Sequence, residues 1–174
     1  MYETPDDLAA LQALLDESYA AAGAHLRSIQ TPERRVHAAD LVDILRGVRV
    51  LDLATVNVKC EPRVGPVDGL FYRGQFYFGS AHESVRFRHI RARPQVSGAH
   101  VIGETFSVIV HGTAAELDVS QPEHAAFKAY VLEVYPDWES WYQGPPPPYA
   151  RIDAHRMYAY AFEPSVLAEL RSGT

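Results

Sequence analysis

The sequence predicts a mainly β protein, a small antiparallel barrel with helices at its periphery. Successive segments rich in Val, Ile, Phe, Tyr and Thr are bounded by turn residues such as KCEP, RG and IGE, which is typical of strands joined by hairpins. One helical segment interrupts this series, and other helical segments precede and follow it. At 174 residues with 47% apolar residues, the chain is expected to form one domain over residues 1–174.

The N-terminal part of the chain, roughly residues 5–46, is predicted to be a helical extension. Residues 5–28 begin with Pro5 and two aspartates and place apolar side chains at helical spacing: Leu8, Leu11, Leu14, Leu15 and Tyr19. A shorter helix is predicted over residues 38–46, ending at Gly47. Neither helix carries a polar motif, so we expect both to serve packing.

The barrel core is predicted over roughly residues 48–163. Its six strands are expected at residues 48–58, 63–72, 74–80, 94–102, 104–119 and 150–164. A helix over residues 81–92 lies between the third and fourth strands, another over residues 122–135 follows the fifth, and a short helix closes the chain. Four consecutive prolines, Pro145 to Pro148, fit neither a helix nor a central strand and predict a stiff, exposed connection.

Charge and composition exclude several classes of protein. With 22 acidic and 16 basic residues the net charge is −6, which argues against nucleic acid as a partner. The single cysteine, Cys60, excludes an internal disulfide and a cysteine-based metal cluster, and the histidines lie at spacings that do not suggest a metal site. No segment is apolar enough to span a membrane, and the N-terminus is acidic, so we expect a cytoplasmic protein.

A run of basic residues stands out against this acidic background. It comprises Arg86, Arg88, His89, Arg91 and Arg93. Ser80 and Glu83 have the spacing of a capping box, which would start the helix at the end of the third strand. The N–H groups and the dipole of that helix would favour an anion, and Ser84 and Arg86 would add phosphate-binding groups. Alternatively, Ser80 only caps the helix and the arginines form its solvated face, opposite buried Val85, Phe87 and Ile90.

The second strand contains a further candidate binding segment. Arg63 lies at its start, and a Gly65–Pro66 step follows within the run Val64 to Val67. Proline occurs in sheets chiefly at edges or bulges, so we expect the hydrogen-bond ladder to be broken here, leaving backbone groups free to meet a ligand. The alternative is a simple edge strand.

These segments together resemble the pyridoxamine 5′-phosphate oxidase-like superfamily of flavin-binding split β-barrels. The resemblance covers roughly residues 40–120 and rests on the ordered segments LATV, PRVGPV, FYFGS, SVRFRHIRARPQV and VHGTA. It implies a homodimer of six-stranded split barrels with two cofactor sites at the subunit interface.

The resemblance also implies which residues hold the cofactor, FMN. Its phosphate would be held by Ser84 and Arg86, together with Ser80 and Arg63. The isoalloxazine ring would be lined by backbone of Val64, Gly65, Pro66, Val67, Phe78 and Gly79. No catalytic residue is assigned, because the cofactor carries the chemistry; His111 is the histidine best placed to act as a substrate-site acid.

Several functions fit this resemblance. The first is an FMN-dependent oxidoreductase acting on a small molecule, and the second is a deazaflavin reductase using coenzyme F-420. The third is a non-catalytic protein that binds a flavin or haem, and the fourth is a barrel that has lost its cofactor. Whether the chain is an enzyme therefore stays open. Aromatic residues near the prolines are expected to shape a pocket above the ring or to form a dimer contact: Trp138, Trp141, Tyr142 and Tyr149.

Overall fold

The computed structural model describes residues 2–172 and contains a closed antiparallel barrel of six strands in the order β1-β2-β3-β6-β5-β4. The strands are β1 Val48–Val56, β2 Pro62–Tyr72, β3 Gln75–Gly79, β4 Gln95–Ile102, β5 Phe106–Leu117 and β6 Tyr149–Ala161. The helices are α1 Pro5–Ala21, α2 Ala24–Ile29, α3 Ala38–Ile44, α4 Val85–Ala92, α5 Ala125–Val134 and α6 Leu167–Ser172. The predicted fold class, a mainly β six-stranded barrel with peripheral helices, is confirmed.

Alternating side chains of the strands fill the barrel interior. In β1, Leu51 and Leu53 are buried while Asp52 between them is exposed, as the two-residue period of a strand requires. The same alternation places Phe76 and Phe78 of β3 in the core. The two-residue period of the strands therefore supplies the barrel core.

A second apolar cluster covers part of the outer surface of the barrel. Tyr77 of β3 stacks on Phe127 of α5 with ring centroids 4.1 Å apart. Around this pair the cluster contains further residues of the strands, α5 and the segment after it: Leu70, Tyr72, Leu117, Val119, Tyr130, Val131, Trp138 and Tyr149. Helix α5 and the aromatic segment after it are therefore held to the barrel by ring packing.

The short strand β3 leaves the edges of its two neighbours, β2 and β6, only partly paired. β6 pairs with β3 only at Tyr149–Arg151, and helix α1 covers the edge beyond. There the amide of Met157 donates to Ser18 Oγ at 2.9 Å, and the amide of Ala159 donates to Tyr19 Oη at 2.9 Å. β2 pairs with β3 only along residues 69–72, so residues 62–68 have a strand neighbour on one side only.

The helices differ in detail from their predicted bounds. The predicted helix over residues 5–28 is two helices, because the chain turns extended at Ala22 and Gly23. Thr4 starts α1 through an unpredicted capping box with Asp7. The predicted helix over residues 122–135 begins with a 3₁₀ turn at Pro122–His124 and continues as α5. Across the described residues, no helix has the length and apolar character needed to cross a membrane.

Candidate functional site

Helix α4, which carries the basic run, begins at Val85. Its N-cap is Ser84, whose Oγ accepts a hydrogen bond from the amide of Phe87 at 3.2 Å. The predicted capping box from Ser80 to Glu83, and the helix start at residue 81, are therefore wrong. Ser80 directly follows β3, and its amide donates to the carbonyl of Pro148 at 3.3 Å.

The arginines of the basic run have different surroundings. Arg91 forms two hydrogen bonds with the Glu116 carboxylate, at 2.7 and 2.8 Å, and Arg93 donates to the carbonyl of Val58 at 3.1 Å. Arg88 is exposed. Phe87 and Ile90 are buried as predicted, but Val85, expected to be buried, is 54% exposed. Arg88 and Arg91 thus agree with the alternative prediction of a solvated helix face, whereas Arg86 has different surroundings.

Arg86 lies against the open edge of β2. Its Nη2 donates to the carbonyl of Pro66 at 3.2 Å. Its side chain is partly buried, and burial lowers the pKa of its guanidinium. No carboxylate within residues 2–172 forms an ion pair with it. Because withdrawing a charge from water without a counter-charge is costly, Arg86 marks a place suited to an anion.

Two cavities meet at Arg86. One has a volume of about 360 Å³ and is lined on the β2 side by Arg63, Val64 and Gly65. Its other lining residues belong to β1, α4 and the β1–β2 turn: Leu53, Thr55, Asn57, Val85 and His89. The other, of about 310 Å³, is lined by Pro66, Val67, Gly79 and Arg86, with Val50 and Asp68. The basic helix and the second strand, predicted separately from the sequence, therefore line one continuous region of the surface.

The backbone of β2 in this region is paired on one side and open on the other. The ladder to β1 runs without interruption from Val56 opposite Pro62 to Val48 opposite Leu70, so the predicted break in the ladder is wrong. The alternative reading, an edge strand, is correct here. Gly65 allows the close approach of Arg86, because a Cβ atom at this position would lie 3.3 Å from its Nη2.

Arg63 is a weaker anion ligand than Arg86 in this structure. Its guanidinium forms an ion pair with Glu61 at 2.5 Å and donates to the carbonyl of Pro62 at 3.1 Å. Hydrogen bonds from Asn57 and then Arg63 lower the pKa of Glu61, which keeps this carboxylate charged. A phosphate would therefore have to compete with Glu61 for Arg63.

The remaining predicted site residues lie outside these two cavities. Phe78 is fully buried with its side chain in the barrel core, Ser84 serves as the N-cap of α4, and Ser80 lines a neighbouring cavity. The Nδ1 atom of His111 lies 2.7 Å from Oγ of Ser97. His111 lines neither of the two cavities at Arg86, nor the neighbouring cavity that Ser80 lines.

Sequence reasoning missed a polar pair in the first cavity. The Nδ1 atom of His89 on α4 lies 2.9 Å from Oγ1 of Thr55 on β1. The two residues are 34 positions apart, so no local pattern in the sequence indicated that they meet. Within the described part of the chain, no group of three or more His, Cys, Asp or Glu residues is arranged to hold a metal ion.

A third cavity, of about 460 Å³, adjoins the second and shares Asp68 and Gly79 with it. Several aromatic residues line it, among them all four that were singled out in the sequence: Trp138, Trp141, Tyr142 and Tyr149. Tyr135 also lines it and donates from its hydroxyl to Asp68 Oδ2 at 2.9 Å. Burial raises the pKa of both Tyr135 and Tyr149, so these phenols stay neutral at physiological pH. We call this space the aromatic cavity.

A closed six-stranded antiparallel barrel with a basic helix beside an open strand edge is the arrangement of a split-barrel protein. The chain belongs to the pyridoxamine 5′-phosphate oxidase family, whose sequence profile matches residues 37–165. Among curated proteins, none matches the sequence.

Solved structures with the same fold come from proteins of differing description. A conserved hypothetical protein from Mycobacterium tuberculosis is 20% identical with a TM-score of 0.64, over 78% of this chain and 91% of its own. An FAD-binding protein from Mesorhizobium loti is 21% identical with a TM-score of 0.58, over 73% and 94%. The haem-storage protein HutZ from Vibrio cholerae is 14% identical with a TM-score of 0.61, over 70% and 93%. At these identities the similarity shows the fold alone.

Proposed function

We propose that the chain is a flavin-dependent oxidoreductase that binds FMN along the open edge of β2 and acts on a small molecule. The observation that carries this proposal is Arg86, a partly buried guanidinium at the junction of two cavities, with no carboxylate partner in the described part of the chain. A guanidinium binds phosphate well because its planar fork can hold two oxygens. Membership of the pyridoxamine 5′-phosphate oxidase family supports a flavin as the source of that phosphate.

The residues at the site fit such a group. Arg86 and the first turn of α4 would hold the phosphate, with Arg63 as a further ligand once it leaves Glu61. The backbone from Val64 to Val67, and Gly79, would lie along the ring. When bound, FMN supplies the capacity to accept and donate electrons, while the protein orients the reactants and limits the access of water. Ser84 would act mainly by fixing the start of α4.

We further propose that the cofactor site lies at the interface of a homodimer. Val50, Val64 and Val101 face outward on the adjacent strands β1, β2 and β4, and each is more than half exposed. Val85 of α4, which lines the first cavity beside Val64, is also more than half exposed. An apolar surface next to a ligand cavity is typical of a protein interface, so a second copy would cover this face and close the site.

The test compares FMN with riboflavin, which has the same ring and no phosphate. Calorimetric titration is done on the wild type, on Arg86→Ala and on Arg91→Ala as the control from the same helix. We expect Arg86→Ala to weaken FMN binding at least about tenfold, because hydrogen bonds to charged groups contribute about 1.5–3 kcal/mol. Riboflavin binding should change little, and Arg91→Ala should leave both affinities within about twofold because its ion pair with Glu116 is exposed.

Other outcomes identify the alternatives. Equal losses for FMN and riboflavin would remove Arg86 from the phosphate site, and binding of coenzyme F-420 without FMN would make the protein a deazaflavin reductase. A Soret band in the absorption spectrum of the purified protein would indicate haem. Sedimentation equilibrium on the same samples tests the dimer, and a monomer that binds FMN with full affinity would contradict the interface location.

A further inference from the structure

The aromatic cavity differs chemically from the region around Arg86. Trp138 packs edge-on against Tyr142 at 5.1 Å between ring centroids, and Tyr135 packs in the same way against Trp141, also at 5.1 Å. Trp138 is almost fully buried, whereas Trp141 is 60% exposed at the surface. The cavity therefore has a fixed aromatic wall and an exposed aromatic side chain that a ligand would cover.

The charge of the cavity also differs from that of the first cavity at Arg86, which is lined by Arg63 and Arg86 and by no carboxylate of the described residues. Asp68 is the charged residue among those that line it, and no Lys or Arg contributes to the lining from the described chain. Asp68 accepts one hydrogen bond, from Tyr135, and a carboxylate can accept several more. The faces of Trp and Tyr rings attract cations as well. A flat apolar group with a positive charge or an N–H donor suits this combination, and an anion does not.

We propose that the aromatic cavity is a binding site for a flat aromatic compound that carries a protonated amine, with the amine directed to Asp68 and the ring against Trp138 and Trp141. Asp68 and Gly79 line both this cavity and the one beside Arg86, so a ligand here would lie next to the proposed flavin ring. Its assignment as the substrate site rests on the proposed function. The binding preference itself rests only on the residues of the cavity.

The experiment uses three probes with one ring system and different charge: naphthylmethylammonium, naphthylmethanol and naphthoate. Each is titrated by calorimetry at neutral pH into FMN-loaded protein and into flavin-free protein. We expect the ammonium probe to bind at least about tenfold more tightly than the alcohol, since a hydrogen bond to a charged partner has about this effect, and naphthoate to bind most weakly.

Three variants separate the contributions. Asp68→Asn should remove the preference for the ammonium probe over the alcohol, while Glu104→Gln, in the exposed turn between β4 and β5, should preserve it. Trp141→Ala should weaken the ammonium probe and the alcohol alike by severalfold, because it removes ring contact at a site exposed enough for the fold to tolerate the change. Phe162→Ala, an exposed aromatic residue elsewhere, should change neither affinity.

The outcomes for this cavity and for the flavin site are distinguishable. If the three probes bind equally, or if Asp68→Asn leaves their order unchanged, the proposal for the cavity is wrong even when FMN binds as expected. If FMN fails to bind but the charge preference and its dependence on Asp68 hold, the cavity is a binding site and the flavin proposal fails alone.

Discussion

The two strand edges that β3 leaves partly unpaired, on β6 and on β2, have different surroundings. On β6, side chains of α1 and the amide of Val36 bond the backbone at Met157 and Ala159, so protein groups replace the missing strand. On β2, between residues 62 and 68, the guanidinium of Arg86 bonds the carbonyl of Pro66, and a cavity lies on each side of it.

This difference separates a structural edge from a binding edge. An edge strand presents unpaired backbone groups, which proteins usually cover or otherwise protect. The β6 edge is covered by a helix whose apolar face also joins the barrel core. The β2 edge is left accessible, and it is contacted by Arg86 of α4, which has no carboxylate partner among the described residues. We therefore expect substitutions at the β6 edge to change stability, and substitutions at the β2 edge to change binding.

The largest effect on stability is expected from Leu15→Ala. Leu15 is fully buried in α1 and belongs to the same core cluster as Met157 and Ala159 of β6. Truncating a buried leucine to alanine costs about 2–5 kcal/mol, because apolar contact is lost and a cavity remains. Urea unfolding measures the change. Val58→Ala, at a residue 73% exposed in the turn after β1, should lie within about 0.5 kcal/mol of the wild type.

A smaller loss is expected from Tyr19→Phe, which removes the hydroxyl that bonds the β6 edge. The hydroxyl accepts from the amide of Ala159 and donates to its carbonyl, and burial raises the pKa of Tyr19 to about 12, so the donating proton is retained. Leaving these buried groups without this partner should cost about 1–3 kcal/mol. The amide of Ala159 should also exchange with solvent faster in NMR hydrogen-exchange measurements.

Tyr158→Phe provides the matched control. Its ring lies 5.9 Å from that of Tyr19, but among the described residues its hydroxyl has no hydrogen-bond partner. Unfolding free energy and Ala159 exchange should both stay close to wild type. If the two variants behave alike, the hydroxyl of Tyr19 does not protect the β6 edge and the comparison of the two edges loses its physical basis.

A feature of the fold or of the site could be predicted from the sequence when it is determined by residues close together in the chain. The β-branched and aromatic content of each strand and the turn residues around it are local properties, and they correctly indicated the barrel. Ser80 and Ser84 both precede helical sequence, and local spacing favoured the wrong one as N-cap.

The surroundings of the candidate site residues are determined by contacts between residues far apart in the sequence, which local patterns do not show. Arg86 and Arg91 look alike in the sequence, and what distinguishes them is Glu116, which lies 25 residues from Arg91 on strand β5. The same holds for His89 and Thr55, which meet across 34 residues. The sequence located the candidate site by its composition, but only the tertiary structure placed Arg86 between two cavities.

The smallest effect on stability, with a clear effect on binding, is expected from Gly65→Ala on the β2 edge. The added Cβ would lie 3.3 Å from Arg86 Nη2, the end of a flexible side chain that can move, so the unfolding free energy should change by less than about 1 kcal/mol. FMN affinity should nevertheless fall by about tenfold, because the methyl group displaces the guanidinium from its place beside Pro66 and occupies space in the cavity.

Gly23→Ala is the control for this substitution, since nothing lies within 4 Å of a Cβ atom at that position. It should leave FMN affinity unchanged. Combining Gly65→Ala with Arg86→Ala sharpens the test: if the glycine acts through the guanidinium, the double variant should bind FMN about as weakly as Arg86→Ala alone. Full additivity of the two losses would mean instead that Gly65 contacts the ligand independently, and that the open edge of β2 binds chiefly through its backbone.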